Sequence, residues 1–183
     1  MISPWNFPAL LSTFKIAPML ASGCTGIMKP PENAPLSTIR MVQLWNEVEG
    51  VVPGVLNCLP GLGSVTGEAL TGHEGVQKVS FTGSTAIGKR IMSRASSNMK
   101  RLNLELGGKG PLILFEDGDI DKAAAKTAQY GLWNSGQFCG APSRIIVQDK
   151  VYDEFVEKLA KIYTSQVQGG WREEGVTLGP VIS

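Results

Sequence analysis

Histidine is almost missing from this chain: His73 is the only one among 183 residues. That argues against a histidine-built metal centre and a cysteine–histidine protease dyad, and no metal site is expected. Cysteine is scarce too. Three scattered thiols with no C-x-x-C pair fit neither a disulfide framework nor a zinc ribbon. An excess of one charge sign is also lacking. Seventeen basic residues face sixteen acidic ones, and no basic cluster of the kind nucleic acid requires is visible. Nor is there a run of ~20 apolar residues to span a membrane. The longest apolar stretch, Phe7 to Leu20, is broken by Ser12, Thr13, Lys15 and two prolines. No basic flank precedes an apolar core at the amino end, so no secretory signal is read there. Cytoplasm is the expected compartment, with the mitochondrial matrix as the alternative. Neither nucleic acid nor membrane is expected as a partner.

What is present is ordinary globular composition, 43% hydrophobic and 18% charged, in a chain long enough to bury a core. Periodicity predicts helices over Pro8–Ser22, Leu36–Glu49, Gly63–Thr71, Thr85–Arg94, Asp119–Trp133 and Tyr152–Val167. In the first of these, Leu10, Leu11, Phe14 and Met19 form the apolar side. Short extended runs are read at Thr25–Lys29, Gly54–Leu59, Lys78–Phe81, Leu102–Leu106, Leu112–Phe115 and Ser143–Gln148. Strands and helices taking turns, joined by short Gly/Pro loops, predict an α/β fold with a largely parallel sheet. The Gly107-Gly108 pair is the best candidate for an internal boundary.

The most chemical residue is Cys139, in Asn134-Ser135-Gly136-Gln137-Phe138-Cys139. Its turn-prone, polar neighbours suit a thiol that must meet a substrate. Cys24 and Cys58 stand in apolar runs that read as packed strand. Thirty-four positions before Cys139, Glu105 lies in Leu104-Glu105-Leu106-Gly107-Gly108, a carboxylate beside flexible glycines and a candidate general base. Two glycine-rich segments, Pro60–Gly67 and Phe81–Gly88, each join a strand to a helix. The first misses the dinucleotide fingerprint by one position, and a tight turn explains it as well as a ligand does. In the second, the helix start and the Ser84 hydroxyl suit a pyrophosphate, while simple helix capping by Ser84 is the competing explanation. Lys29 closes a strand and Glu32 follows two prolines that fix its direction, at the end where open α/β sheets bind ligands, although a solvated surface ion pair is the plainer account. His73 sits in a loop and is expected to be exposed and idle.

Taken together, the segments resemble the aldehyde dehydrogenase superfamily. Pro4-Trp5-Asn6-Phe7-Pro8 is similar to its loop with the oxyanion asparagine, and Met28–Ser37 to its lysine-to-glutamate cofactor segment. Phe81–Lys89 resembles its nucleotide loop, Leu104–Pro111 the signature of its catalytic glutamate, and Gly136–Arg144 that of its catalytic cysteine. The five occur in family order and with family-like spacing.

The resemblance implies residues 1–106 as a cofactor-binding domain with a Rossmann-like, mostly parallel sheet, incomplete at its amino side. It implies 107–183 as the start of an α/β catalytic domain, incomplete at its carboxyl side. This chain is thus expected to be a central fragment, and the alternative expectation is a truncated non-catalytic fragment that retains at most nucleotide binding or pairs with a full-length homologue. The implied reaction oxidises a small aldehyde to a carboxylate with NAD+, NADP+ being the alternative. Cys139 is the implied nucleophile, passing through a thiohemiacetal and a thioester. Glu105 is the base for deacylating water and Asn6 the oxyanion donor. Gly83, Ser84 and Gly88 hold the pyrophosphate, Lys29 and Glu32 bind the adenosine ribose, and Trp5 and Leu106 border the cofactor. An acidic Glu32 favours NAD+, because it repels a 2′-phosphate. A homo-oligomer is expected for the full-length protein, and the state of this fragment stays open.

Overall fold

Short apolar runs closed by glycine or proline become short parallel strands, and the segments between them become helices. All of residues 1–183 are described in a computed structural model, in which the chain divides into two compact units, Met1–Gly107 and Gly108–Ser183. The first unit runs α1 (Pro8–Ala21), β1 (Gly26–Met28), α2 (Leu36–Asn46), β2 (Leu56–Cys58), α3 (Glu68–Gly72), β3 (Lys78–Gly83), α4 (Thr85–Ala95) and β4 (Arg101–Leu106). β1 pairs with β2 and β3 with β4, both parallel.

Ile2 joins the two pairs. It bridges Lys29 on one side and Phe81 on the other, in parallel sense. Its N–H donates to the Ser80 carbonyl at 2.8 Å, and its own carbonyl accepts from Thr82 N–H at 3.1 Å. On the other side, Lys29 N–H donates to the Met1 carbonyl at 2.9 Å, and Ser3 N–H to the Lys29 carbonyl at 3.3 Å. The layer therefore reads β2–β1–Ile2–β3–β4. Counted in chain order this is 3-2-1-4-5, the first five strands of a doubly wound sheet, with the winding direction reversing at Ile2. The sequence reading has no strand here, because two or three residues are too few to show alternation.

The α/β fold and parallel sheet expected from the sequence are found, and two helices differ in informative ways. α1 buries Ser12, Lys15 and Ile16 and leaves Leu10 and Phe14 exposed, opposite to the apolar side that periodicity predicts. The sheet face beneath it carries hydroxyls. Ser12 Oγ donates to Ser3 Oγ at 3.0 Å and lies 3.1 Å from Thr38 Oγ1. Lys15 Nζ donates to Thr82 Oγ1 at 2.8 Å and Ser80 Oγ at 3.2 Å. Buried polar groups require partners, so matching hydroxyls set this helix's rotation. The predicted helix over 63–71 is instead a π-type turn, Gly63–Gly67, followed by α3.

Two apolar clusters sandwich this sheet. Ile2, Val79, Phe81 and Ile91 form one, toward α4; Ile16, Met28, Val42 and Leu56 form the other, toward α1 and α2.

The second unit comprises β5 (Pro111–Leu114), α5 (Ile120–Leu132), β6 (Arg144–Val147) and α6 (Asp149–Thr164), with β5 and β6 parallel. Asp119 caps α5, its Oδ1 accepting from Lys122 N–H at 2.9 Å. Leu114, Ala124, Val151 and Phe155 form its core. α6 starts and ends three residues earlier than the sequence predicts. Beyond it the chain doubles back, Thr177 and Leu178 N–H donating to the Val167 carbonyl at 2.9 and 3.0 Å. No helix is long and apolar enough to cross a membrane.

Candidate active site

In the first unit, the residues singled out from sequence gather at the carboxyl ends of parallel strands, the edge where open α/β sheets bind ligands. The backbone leaves Ile2 and Ser3, passes Pro4, Trp5 and Asn6 over that edge, and enters α1 with Pro8 in its first turn. Lys29 follows β1, Gly83 ends β3 with Ser84 next, and Glu105 and Leu106 end β4.

Lys29 is no solvated surface cation. It is 3% exposed, its Nζ donates to the Pro30 carbonyl at 2.9 Å, and burial lowers its pKa while the Glu32 charge opposes that shift. Glu32 is exposed, and its Oε1 accepts from Gly63 N–H. A Cβ on Gly67 would touch the Lys29 stem at 3.8 Å. The Pro60–Gly67 loop thus packs against the Lys29–Glu32 segment.

Ser84 does cap α4, its Oγ accepting from Ile87 N–H at 3.4 Å. A helix start of this kind also presents amides to an anion, and one role does not exclude the other. Gly88 permits close helix–strand packing, since a Cβ there would lie 2.7 Å from Leu106 Cδ2. At Gly83 a Cβ would meet the Phe81 ring at 2.5 Å.

Glu105 is exposed and stands opposite Thr82 in the β3–β4 register. Thr82 holds Lys15, a residue that the sequence reading passes over. Desolvation lowers the Lys15 pKa, and the Glu105 charge pulls it back up. Only one signal marks Lys15 in the sequence: it is the single charge interrupting the long apolar stretch.

Cys139 belongs to the second unit, as an exposed residue between the turn Trp133–Gly136 and β6. Asn134, Ser135 and Gly136 all have positive φ, 53°, 57° and 79°. For the first two, a left-handed backbone costs about 1–2 kcal/mol each. Trp133 and Phe138 close this turn edge to face, with ring centres 4.9 Å apart.

The other thiols require one correction. Cys24, read as packed strand, is exposed in the turn after α1, where the Ser22 hydroxyl donates to its sulfur at 3.4 Å. The strand starts only at Gly26, because the chain needs Ser22 to Thr25 to turn from the helix. Cys58 is half-buried at the end of β2, and burial pushes its thiol pKa up. His73 is exposed, and its Nδ1 accepts from Gly75 N–H at 3.0 Å.

The profile of the aldehyde dehydrogenase family matches residues 1–183. The chain belongs to the aldehyde dehydrogenase family. A chloroplastic betaine aldehyde dehydrogenase of Amaranthus hypochondriacus is 46% identical over 183 residues, 100% of this chain and 36% of that protein. A peroxisomal aminoaldehyde dehydrogenase 1 of Malus domestica is 45% identical over the same shares. The crystal structure of a Staphylococcus aureus betaine aldehyde dehydrogenase in complex with NAD+ superposes with a TM-score of 0.94 at 43% identity. It covers 100% of this chain and 36% of that one. This aldehyde dehydrogenase chain therefore spans little more than a third of the relatives' length. The expectation of a cytoplasmic protein does not stand, since these plant relatives are chloroplastic and peroxisomal. Compartment is addressed by targeting segments, and the composition of a globular core says nothing of it.

Proposed function

We propose that the protein containing this chain oxidises an aldehyde to a carboxylate with NAD+, using Cys139 as nucleophile, Glu105 as general base and Asn6 as oxyanion donor. In this reading residues 1–106 are the cofactor-binding part and 107–183 the start of the catalytic part. The observation that carries it is the set of candidate residues at one carboxyl edge of the first unit's sheet, where the winding reverses. The residues fit a dinucleotide. α4 opens with a capped amino terminus suited to a pyrophosphate, Gly83 and Gly88 having close neighbours and no side chain. Lys29 and Glu32 supply a donor and an acceptor for ribose hydroxyls, and a carboxylate there disfavours a 2′-phosphate. Trp5 and Leu106 border the same ligand.

When bound, NAD+ accepts the hydride that leaves the aldehyde carbon. The chain's own residues manage the rest. The Cys139 thiolate bonds to that carbon, and the alkoxide formed is held by the Asn6 side-chain amide and the Cys139 N–H. After hydride loss the carbon is a thioester. Glu105 takes a proton from water, the hydroxide attacks, the C–S bond breaks and the acid departs. Betaine aldehyde and aminoaldehydes, the substrates in the relatives' names, are the first to try.

Aldehyde-dependent NADH formation is the test, read at 340 nm with Cys139→Ala beside the unaltered protein. Loss of turnover with NAD+ binding retained is expected. A Cys139→Ala protein that still reduces NAD+ ends the covalent mechanism. A second reading, nucleotide binding without turnover, is favoured by the solvent-exposed Ile113 and Ile146 on the second unit's sheet and by exposed Phe115 just after β5. Calorimetric NAD+ binding by the 183-residue chain without NADH formation selects it.

A further inference from the structure

The turn ahead of Cys139 is strained, and something must hold it. Asn134, Ser135 and Gly136 are left-handed in succession, one residue beyond the end of α5. For Asn134 and Ser135, right-handed backbone is the lower-energy alternative. Four hydrogen bonds oppose that. Gln137 N–H and Gln137 Nε2 both donate to the Asn134 carbonyl, at 3.1 and 2.9 Å. Gln137 Oε1 accepts from Ile182 N–H at 2.9 Å, and Ser135 Oγ donates to the Gly179 carbonyl at 2.8 Å. The last two reach forty-odd residues along the chain, to the strap that folds back after α6. That strap is itself fixed by Thr177 and Leu178 on Val167. An open groove of about 620 Å³ runs between α5, α6 and the strap.

We propose that Gln137 is a positioning residue for Cys139: its side chain clamps the left-handed turn to the strap at Ile182, with Ser135 on Gly179 as a second tie, and so sets how the thiol is presented. The inference rests on the reading of Cys139 as nucleophile, but it concerns the thiol's environment and not the aldehyde chemistry. Released, the turn rewinds onto α5 and brings the carbonyl end of a helix toward Cys139. That end disfavours a thiolate.

The test is the rate of Cys139 alkylation by iodoacetamide between about pH 6 and pH 10, spanning the ordinary thiol range. Peptide mass spectrometry separates Cys139 from Cys24 and Cys58, and Cys24, in the first unit, serves as internal standard. Three variants are compared. Gln137→Ala removes the clamp. Ile182→Pro removes the N–H that the strap donates, together with the isoleucine side chain, and fixes the local φ. Ile182→Ala keeps that N–H. The clamp predicts that Gln137→Ala and Ile182→Pro both slow Cys139 alkylation at neutral pH by about three- to tenfold and move its pH midpoint up. Ile182→Ala keeps the unaltered profile. An unaltered profile in Ile182→Pro overturns the proposal, whatever Gln137→Ala does. So does an Ile182→Ala shift as large as that of Ile182→Pro, since side-chain packing then accounts for both. Neither NAD+ nor aldehyde enters the assay, so failure of the dehydrogenase reading is seen separately.

Discussion

Burying an ammonium group is costly unless its protons are taken up, and Lys15 meets that demand with the hydroxyls of Ser80 and Thr82. Its pKa is nevertheless lowered, chiefly by desolvation. The unfolded chain then binds more protons than the folded one between that lowered value and the ordinary 10.5. Stability must therefore rise with pH across this window. Urea unfolding of the chain at about pH 8 and pH 10, against Lys15→Met, checks the sign. The unaltered chain is expected to gain more from the alkaline step than the variant; equal gains refute the linkage. Glu105 carries a different prediction. In a protein competent for turnover, Glu105→Gln slows deacylation by roughly 10²- to 10⁴-fold, the scale of a general base. Rapid mixing with aldehyde and NAD+ is expected to preserve the NADH burst and depress the steady state. An undiminished steady state removes Glu105 from the mechanism.

At the scale of elements, strands and helices bounded by Gly or Pro were largely legible, while which face each helix buries was less so. α4 shows why the reading works when it does. Ser84 caps it, and Ile91 and Ala95 fall on its buried side at helical spacing. α1 shows why it fails. Its Leu10 and Phe14 follow helical periodicity, but the surface beneath the helix is hydroxyl-rich, so Ser12 and Lys15 turn inward. Periodicity describes one element and carries no information about the partner's chemistry. The same limit hid the strand at Ile2, which exists only because β1 and β3 lend it their hydrogen bonds on both sides. Cys24 departs from the packed-strand expectation for a related reason: its run of small and apolar residues is a turn in which no partner strand is yet paired.

At the scale of the whole molecule, each unit carries its own apolar core, and each can be weakened by itself. Phe155 is 2% exposed in the second unit's core, beside Leu114, Ala124 and Val151. Phe155→Ala is expected to cost about 3–5 kcal/mol through lost burial and the cavity left behind. Hydrogen exchange should show the lost protection centred on β5, β6, α5 and α6. A loss below about 1 kcal/mol, typical of surface positions, would mean that this cluster does not hold the unit together. By itself the sequence determined the family, the alternation of strand and helix, and the candidate chemistry at Cys139, Glu105 and Asn6, because spaced motifs and local periodicity are properties of the chain. The sheet order around Ile2, the inward rotation of Lys15 and the tie from Gln137 to Ile182 were decided by tertiary structure alone. Each is a hydrogen bond between residues distant in sequence, and its free energy exists only once folding has closed the loop between them.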